Sequence, residues 1–158
     1  MKRAFLIFLV VLMALGTVGC SAKKDQETVG KVLLEDFKSN PDRNVQEIAD
    51  RIINNEIIPF AGSVMEVEPG FLTGFDNAEI TGFKEGAMFS PMIGTIPFVG
   101  YIFEVEDDTD VDSFIETLKD YANLRWNICT EAEELTLGKE GNKVFFLMSP
   151  MSFKETAE

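Results

Sequence analysis

Leu135-Thr136-Leu137-Gly138-Lys139-Glu140-Gly141-Asn142-Lys143-Val144-Phe145-Phe146-Leu147-Met148 decides the fold. Leu135 to Lys139 alternates apolar and polar residues, as a half-buried strand does. Glu140-Gly141-Asn142 turns the chain, and a Gly-Asn pair suits a tight hairpin. Val144 to Met148 is apolar throughout, which marks a central strand or one covered on both faces. A hairpin implies antiparallel pairing. Pro150 stops the second strand, and Met151 to Glu158 reads as a polar tail.

Upstream, Asp107 to Asn127 carries a helical pattern. Val111, Phe114, Ile115, Leu118, Tyr121, Ala122 and Arg125 or Trp126 keep a 3.6-residue period. Thr109 or Asp110 is placed to cap it, and Asp112 favours its positive end. The spacing predicts a helix over 110–127, packed on strands at 98–105 and 144–148. Residues 59–103 differ in character. They hold seven of the twelve Gly, four of the six Pro and seven of the fourteen Phe, so they mix turns with bulky apolar groups. Two strands fit there, 79–92 with an irregularity near Gly82 or Gly86, and 98–105, joined by a turn around Gly94-Thr95. Nearer the start, Val29, Val32, Leu33 and Phe37 share one face of a helix from Thr28 to Lys38, broken by Ser39-Asn40-Pro41-Asp42. Asn44 and Glu47 have capping-box spacing ahead of a stripe of Val45, Ile48, Ala49, Ile52 and Ile53, which Asn54-Asn55 or Pro59 ends.

The order is α-α-β-β-α-β-β. It predicts an α+β domain over 28–150, with a four- to five-stranded antiparallel sheet and three helices on one face. No internal repeat or domain linker interrupts it.

Composition excludes several kinds of chemistry. The chain has 158 residues, no histidine, two cysteines and a formal charge of −13. A histidine base, nucleophile partner or metal ligand is therefore excluded, as is a Cys₄ zinc site. An acidic balance does not suit a nucleic-acid binder, which meets phosphates with a basic face. No metal or cofactor is expected.

The first twenty residues point to export. Lys2 and Arg3 precede twelve apolar residues, Ala4 to Leu15, the length of a signal-peptide core. Read as an uncleaved anchor, the nineteen uncharged residues Ala4 to Ala22 just reach across a bilayer, although their last third is only weakly apolar. A plain secretory peptide cut elsewhere is a third reading. All three export the domain, with Lys2 and Arg3 left on the cytoplasmic side.

Thr17-Val18-Gly19-Cys20, placed directly after this core, resembles the lipobox of a bacterial lipoprotein precursor. The resemblance implies cleavage before Cys20, a diacylglycerol on the Cys20 sulfur, and a fatty acid such as palmitate on the new amine. It implies a 1–19 signal peptide, a lipidated tether over 20–27, and a protein held on the extracytoplasmic face of the cell membrane. Two or three acyl chains hold effectively for good, since each buried CH₂ contributes about 0.8 kcal/mol. Cleavage would remove Lys2 and Arg3 and no acidic residue, moving the formal charge from −13 to −15. Lipid rather than charge would then hold the domain at an anionic surface. With Cys20 lipidated, Cys129 has no partner within the chain. The mature part is also similar in pattern to small domains carried by Gram-positive lipoproteins, a likeness that implies no activity.

The candidate sites are few. Asp108, Asp110 and Asp112 have the 1-3-5 spacing of a calcium loop, but Ser113 and Lys119 stand where its Gly and Glu belong, so they read as a helix start. Glu131, Glu133 and Glu134 with Glu104 and Glu106 form either an acidic patch for a cationic partner or ordinary surface charge. No carboxylate pair stands out for catalysis, and Ser21-x-x-Lys24 falls in the tether beside the lipid. No catalytic residue is nominated. Cys129, following 118, 122 and 125, is expected to be a buried, inert thiol. Phe60, Met65, Phe71 and Phe75 sit among turn residues. They are expected either to form partner-binding loops, with Glu66, Glu68 and Asp76 as an acidic rim, or to fold over the sheet as satellite core. The function these features imply is binding: an interaction module at the cell envelope for an envelope protein or peptide. A small-ligand or peptide receptor accessory to a transporter and a carboxylate-based cell-wall hydrolase are the alternatives.

Overall fold

The computed structural model describes residues 27–153. The 1–19 segment, Cys20, the tether up to residue 26 with Ser21 and Lys24, and residues 154–158 lie outside the described residues.

Among the described residues, three helices each begin at a side-chain cap that satisfies a free backbone N–H of the first turn. Thr28 accepts from Lys31 N at the head of α1 (Val29–Ser39), and Asn44 accepts from Glu47 N at 2.9 Å at the head of α2 (Val45–Ile53). Asp110 accepts from Ser113 N at 2.8 Å at the head of α3 (Val111–Tyr121). The five residues of the predicted α2 stripe are its buried residues.

The main sheet has five antiparallel strands in the order β1-β4-β5-β7-β6. These are β1 (Gly62–Glu66), β4 (Phe83–Pro91), β5 (Val99–Val105), β6 (Glu134–Glu140) and β7 (Lys143–Ser149), with the turn at 141–142 joining the last two. β2 (Gly70–Phe71) and β3 (Glu79–Ile80) form a small separate ribbon. The irregularity expected near Gly82 or Gly86 is a break at Gly82, where φ is +90°, followed by a bulge at Lys84 between the pairs Phe83↔Val105 and Glu85↔Glu104. β1 is an addition to the predicted order.

The α+β class and the five antiparallel strands agree with the sequence reading, but the helices do not share one face. Side chains alternate strictly along the two central strands. Ile102, Phe145 and Leu147, with Ala87 and Phe89, pack under α1 and α2. Tyr101, Phe103, Val105, Val144, Phe146 and Met148 pack on the opposite face with Phe114 and Leu118 of α3. The apolar run at 144–148 is therefore a strand covered on both sides. As expected, α3 lies over β5 and β7: Phe114 meets Phe103 edge-on at 5.4 Å between ring centroids.

α1 lies close against the edge strand β6, and Gly30 makes this possible. A Cβ at Gly30 would strike Thr136 and Glu134, while the Gly30 N–H donates to Glu134 Oε1 at 2.8 Å. The glycine that weakens the helix in isolation is what lets it dock. Asp36, Arg51 and Asn55 then tie α1 to α2, with Arg51 Nε 2.9 Å and Asn55 Nδ2 2.9 Å from the two Asp36 carboxylate oxygens.

Helix α3 ends six residues before the predicted limit of 127. Ala122 is extended and bridges to Phe75. The Asp76 N–H donates to Tyr121 O and the Asn123 N–H to Gly74 O, both at 2.9 Å. Helix continuation would forfeit these bonds. Leu124 and Trp126 keep their apolar contacts with the α3-side core, but from a loop.

Residues 151–153 are stitched into the domain rather than trailing from it. The Val29 N–H donates to Met151 O at 3.0 Å, the Met151 N–H to Glu133 Oε2 at 2.7 Å, and Phe153 packs edge-on against Phe60 at 5.3 Å.

Candidate interaction surface

The four residues singled out between 59 and 80 separate into two groups. Phe75 is core: its ring lies 4.7 Å from Phe146 and 5.7 Å from Tyr101, between centroids. Its loop is fixed from beneath, because Tyr101 Oη donates to Thr73 O at 2.8 Å. Burial pushes the Tyr101 phenol above its ordinary pKa, so it stays a donor throughout the neutral range. Phe60 is half-buried, seated between Phe98 and Phe153. Met65, on β1, is 53% exposed, and Phe71, on β2, is 71% exposed. An anchor formed by all four is thus corrected to two exposed side chains. Phe60 and Phe75 take the satellite-core role, because each fills a gap between a loop and the sheet.

Cys129 is also corrected. It is exposed, since the helix that would have turned it inward has already ended.

The apolar residues that do reach the surface together come from elsewhere. Three loops and the C-terminal segment leave the same end of the sheet. Pro91 pairs with Gly62, Val99 with Met148, and Glu134 with Ser149, so residues 57–61, 92–98, 122–133 and 150–153 all cap that end. Two bonds join the loops: Asn127 Nδ2 donates to Gly94 O at 2.6 Å, and Met92 N donates to Ala61 O at 3.0 Å. The exposed side chains at this end are Met92 (70%), Ile93 (68%), Ile128 (100%) and Met151 (48%). The sequence signal was present in Met92-Ile93, two apolar residues leading into the Gly94 turn. For Ile128 it was hidden by the expectation of helix. Beside these residues is a cleft of ≈ 320 Å³ lined by Met88, Pro91, Ile96, Phe98 and the indole of Trp126.

Acidic side chains gather at the opposite end, where Glu106 N donates to Gly82 O and Val105 N to Asn142 O. Several are held by the fold. Glu104 lies under the bulge, with Lys84 Nζ at 3.0 Å and Asn142 Nδ2 at 3.1 Å. The Lys84 hydrogen bond holds the Glu104 carboxyl below its ordinary pKa, and the same bond raises Lys84. Asp110 is lowered by the Ser113 N–H that it caps, and Asp112 pairs with Lys139. Of the three aspartates with calcium-loop spacing, two are therefore engaged at the helix start. Among the described residues, no group of three or more His, Cys, Asp or Glu side chains is placed to hold a metal ion.

Glu104 gives an expected pH dependence. A carboxyl whose pKa is lower folded than unfolded stabilises the fold at neutral pH, and that contribution is lost as pH falls through the folded value. Glu104→Gln should therefore melt below the parent at pH 7, and the gap should close on acidification below the ordinary carboxylate range. Melting curves across pH check this; a gap independent of pH would contradict it.

No helix among the described residues is long and apolar enough to cross a membrane. Comparison with protein-family models, curated proteins and solved structures gave no match.

Proposed function

We propose that this chain is a lipid-anchored protein of the extracytoplasmic face of a cell membrane, held through Cys20, and that its α+β domain is a binding module of the cell envelope. The observation that carries the reading is the run Lys2-Arg3, the apolar Ala4–Leu15, and Thr17-Val18-Gly19-Cys20. It is supported by where the domain starts: Thr28 already caps the first helix, which leaves Ser21 to Glu27 as the tether. Binding rather than catalysis is supported by the exposed apolar side chains at one end of the sheet, a feature that marks contact surfaces. It is supported too by the use of Glu104, Asp110 and Glu134 in bonds that hold the fold.

Metabolic labelling with a fatty acid tests the anchor. Label should enter the parent chain and be absent from Cys20→Ala. Label that persists in the variant would overturn the assignment.

The cleft beside Trp126 favours a second reading, a small-ligand or peptide receptor accessory to a transporter. Trp126 is the single tryptophan, so a ligand entering the cleft should change its fluorescence and raise the melting temperature together. A metabolite panel that moves neither would remove this reading.

A further inference from the structure

We propose that the end of the sheet bearing Met92, Ile93, Ile128 and Met151 rests on the lipid surface, so that the tethered domain has a fixed orientation instead of swinging freely. The inference rests on the lipid-anchored reading above and adds to it a surface and an occupant.

Three observations lead to a bilayer as the occupant. The first is where the chain enters. The Val29 N–H bonds to Met151 O, so the tether joins the domain at the apolar end. Seven residues, Ser21 to Glu27, separate Cys20 from Thr28. Fully extended they span about 25 Å at roughly 3.5 Å per residue. A lipidated Cys20 therefore keeps this end within easy reach of the headgroups.

The second is the chemistry of the exposed groups. Met92 and Ile93 lead into the Gly94 turn at the tip of the β4–β5 connection, and Ile128, fully exposed, is on the loop that Asn127 bonds to Gly94. They are side chains without polar atoms, carried on connections rather than on a groove or a flat face. Such tips enter the boundary between headgroups and acyl chains, where interfacial binding scales with the apolar area buried.

The third is the distribution of charge. Of the acidic groups at the apolar end, Glu131 pairs with Arg125, and Glu133 and Glu134 accept from the Met151 and Gly30 N–H groups. Glu66, Glu85, Glu106, Asp107, Asp108 and Glu140, by contrast, stand at or near the far end of the strands, by the pairing Glu66↔Ala87, Phe83↔Val105 and Glu140↔Lys143. With the apolar end down, these far-end carboxylates point away from the membrane. An anionic leaflet that repels the domain as a whole then favours this orientation over its inverse.

The test uses the full chain, produced from residues 1–158 in a bacterial host, purified from membranes in detergent and reconstituted into phosphatidylcholine vesicles. Vesicle flotation reports the anchor. An environment-sensitive thiol fluorophore on Cys129, which is exposed and adjacent to Ile128, reports the seating through quenching by spin-labelled lipid. The same fluorophore on Asp108→Cys in a Cys129→Ser background reports the far end. The expected result is flotation of both proteins, with most of the emission quenched at 129 and little at 108. Ile93→Asp with Ile128→Asp should float and melt as the parent does, yet lose the quenching at 129. Flotation with equal quenching at the two positions, or with quenching unchanged in the double variant, would overturn the seating while leaving the anchor in place. It would also leave the apolar end to a protein partner. A full chain that does not float removes the anchor and the seating together.

Discussion

Phe75→Ala is expected to destabilise the domain by about 3–5 kcal/mol, the usual cost of removing a buried phenylalanine. The ring sits between Tyr101 and Phe146 of the two central strands, and its loss would leave a cavity that the sheet cannot collapse to fill. It would also loosen the loop whose backbone ends α3, since Phe75 bridges to Ala122 and Asp76 N bonds Tyr121 O. At this chain length the melting temperature should fall by on the order of 10 °C or more. Phe71→Ala, four residues earlier in the same connection, should leave it nearly unchanged, because that ring is already in solvent. Thermal melts of the two variants side by side check this, and similar shifts for both would contradict it.

Gly100→Ala should have the second-largest effect, although it adds one methyl group. Gly100 lies on β5 between Phe89 of β4 and Leu147 of β7. The Phe89 ring folds directly over it, so that a Cβ would fall within the ring. A glycine inside a strand weakens it unless something needs the space, and here the ring does. Phe89 cannot retreat, being fully buried with Phe98 at 5.9 Å and Phe145 at 6.3 Å between centroids. Overpacking of this kind costs about 1–3 kcal/mol. The cause is separable by coupling: if the clash is with Phe89, then Gly100→Ala combined with Phe89→Leu should cost less than the two single changes added together. Strict additivity in denaturant melts would place the strain elsewhere.

Where sequence and structure agree, the signals are local. The caps at Asn44 and Asp110, the α2 stripe, the hairpin at 140–142 and the Gly82 break each follow from a few neighbouring residues. Where they part, the deciding interaction comes from far along the chain. The period of α3 continues to Trp126, but the strand-like pairing of Ala122 with Phe75 takes the backbone first. That pairing is also what leaves Cys129 and Ile128 in solvent. β1 escaped notice because Gly62-Ser63-Val64-Met65-Glu66 has no clean alternation, and its place comes from hydrogen bonds to β4. The division of helices between two faces was half visible. The unbroken run Val144–Met148 required cover on both sides, but nothing local said which helix supplied which. The exposed end of the sheet was least legible, since it gathers residues from four separated segments that only the strand order brings together.

The contacts of α1 set a constraint on the order in which the chain can fold. This helix is the first element among the described residues, yet it is held by Glu134 of β6 and Met151 beyond β7, more than one hundred positions later. A ribosome releases the N-terminal end first. Helix α1 thus waits, without its partners, until nearly the whole domain has been made, and the central pairing of β5 with β7 waits as well. Contacts so distant in sequence make for slow closure. A chain in that state is still open, and the fold closes only when the last strand has been made.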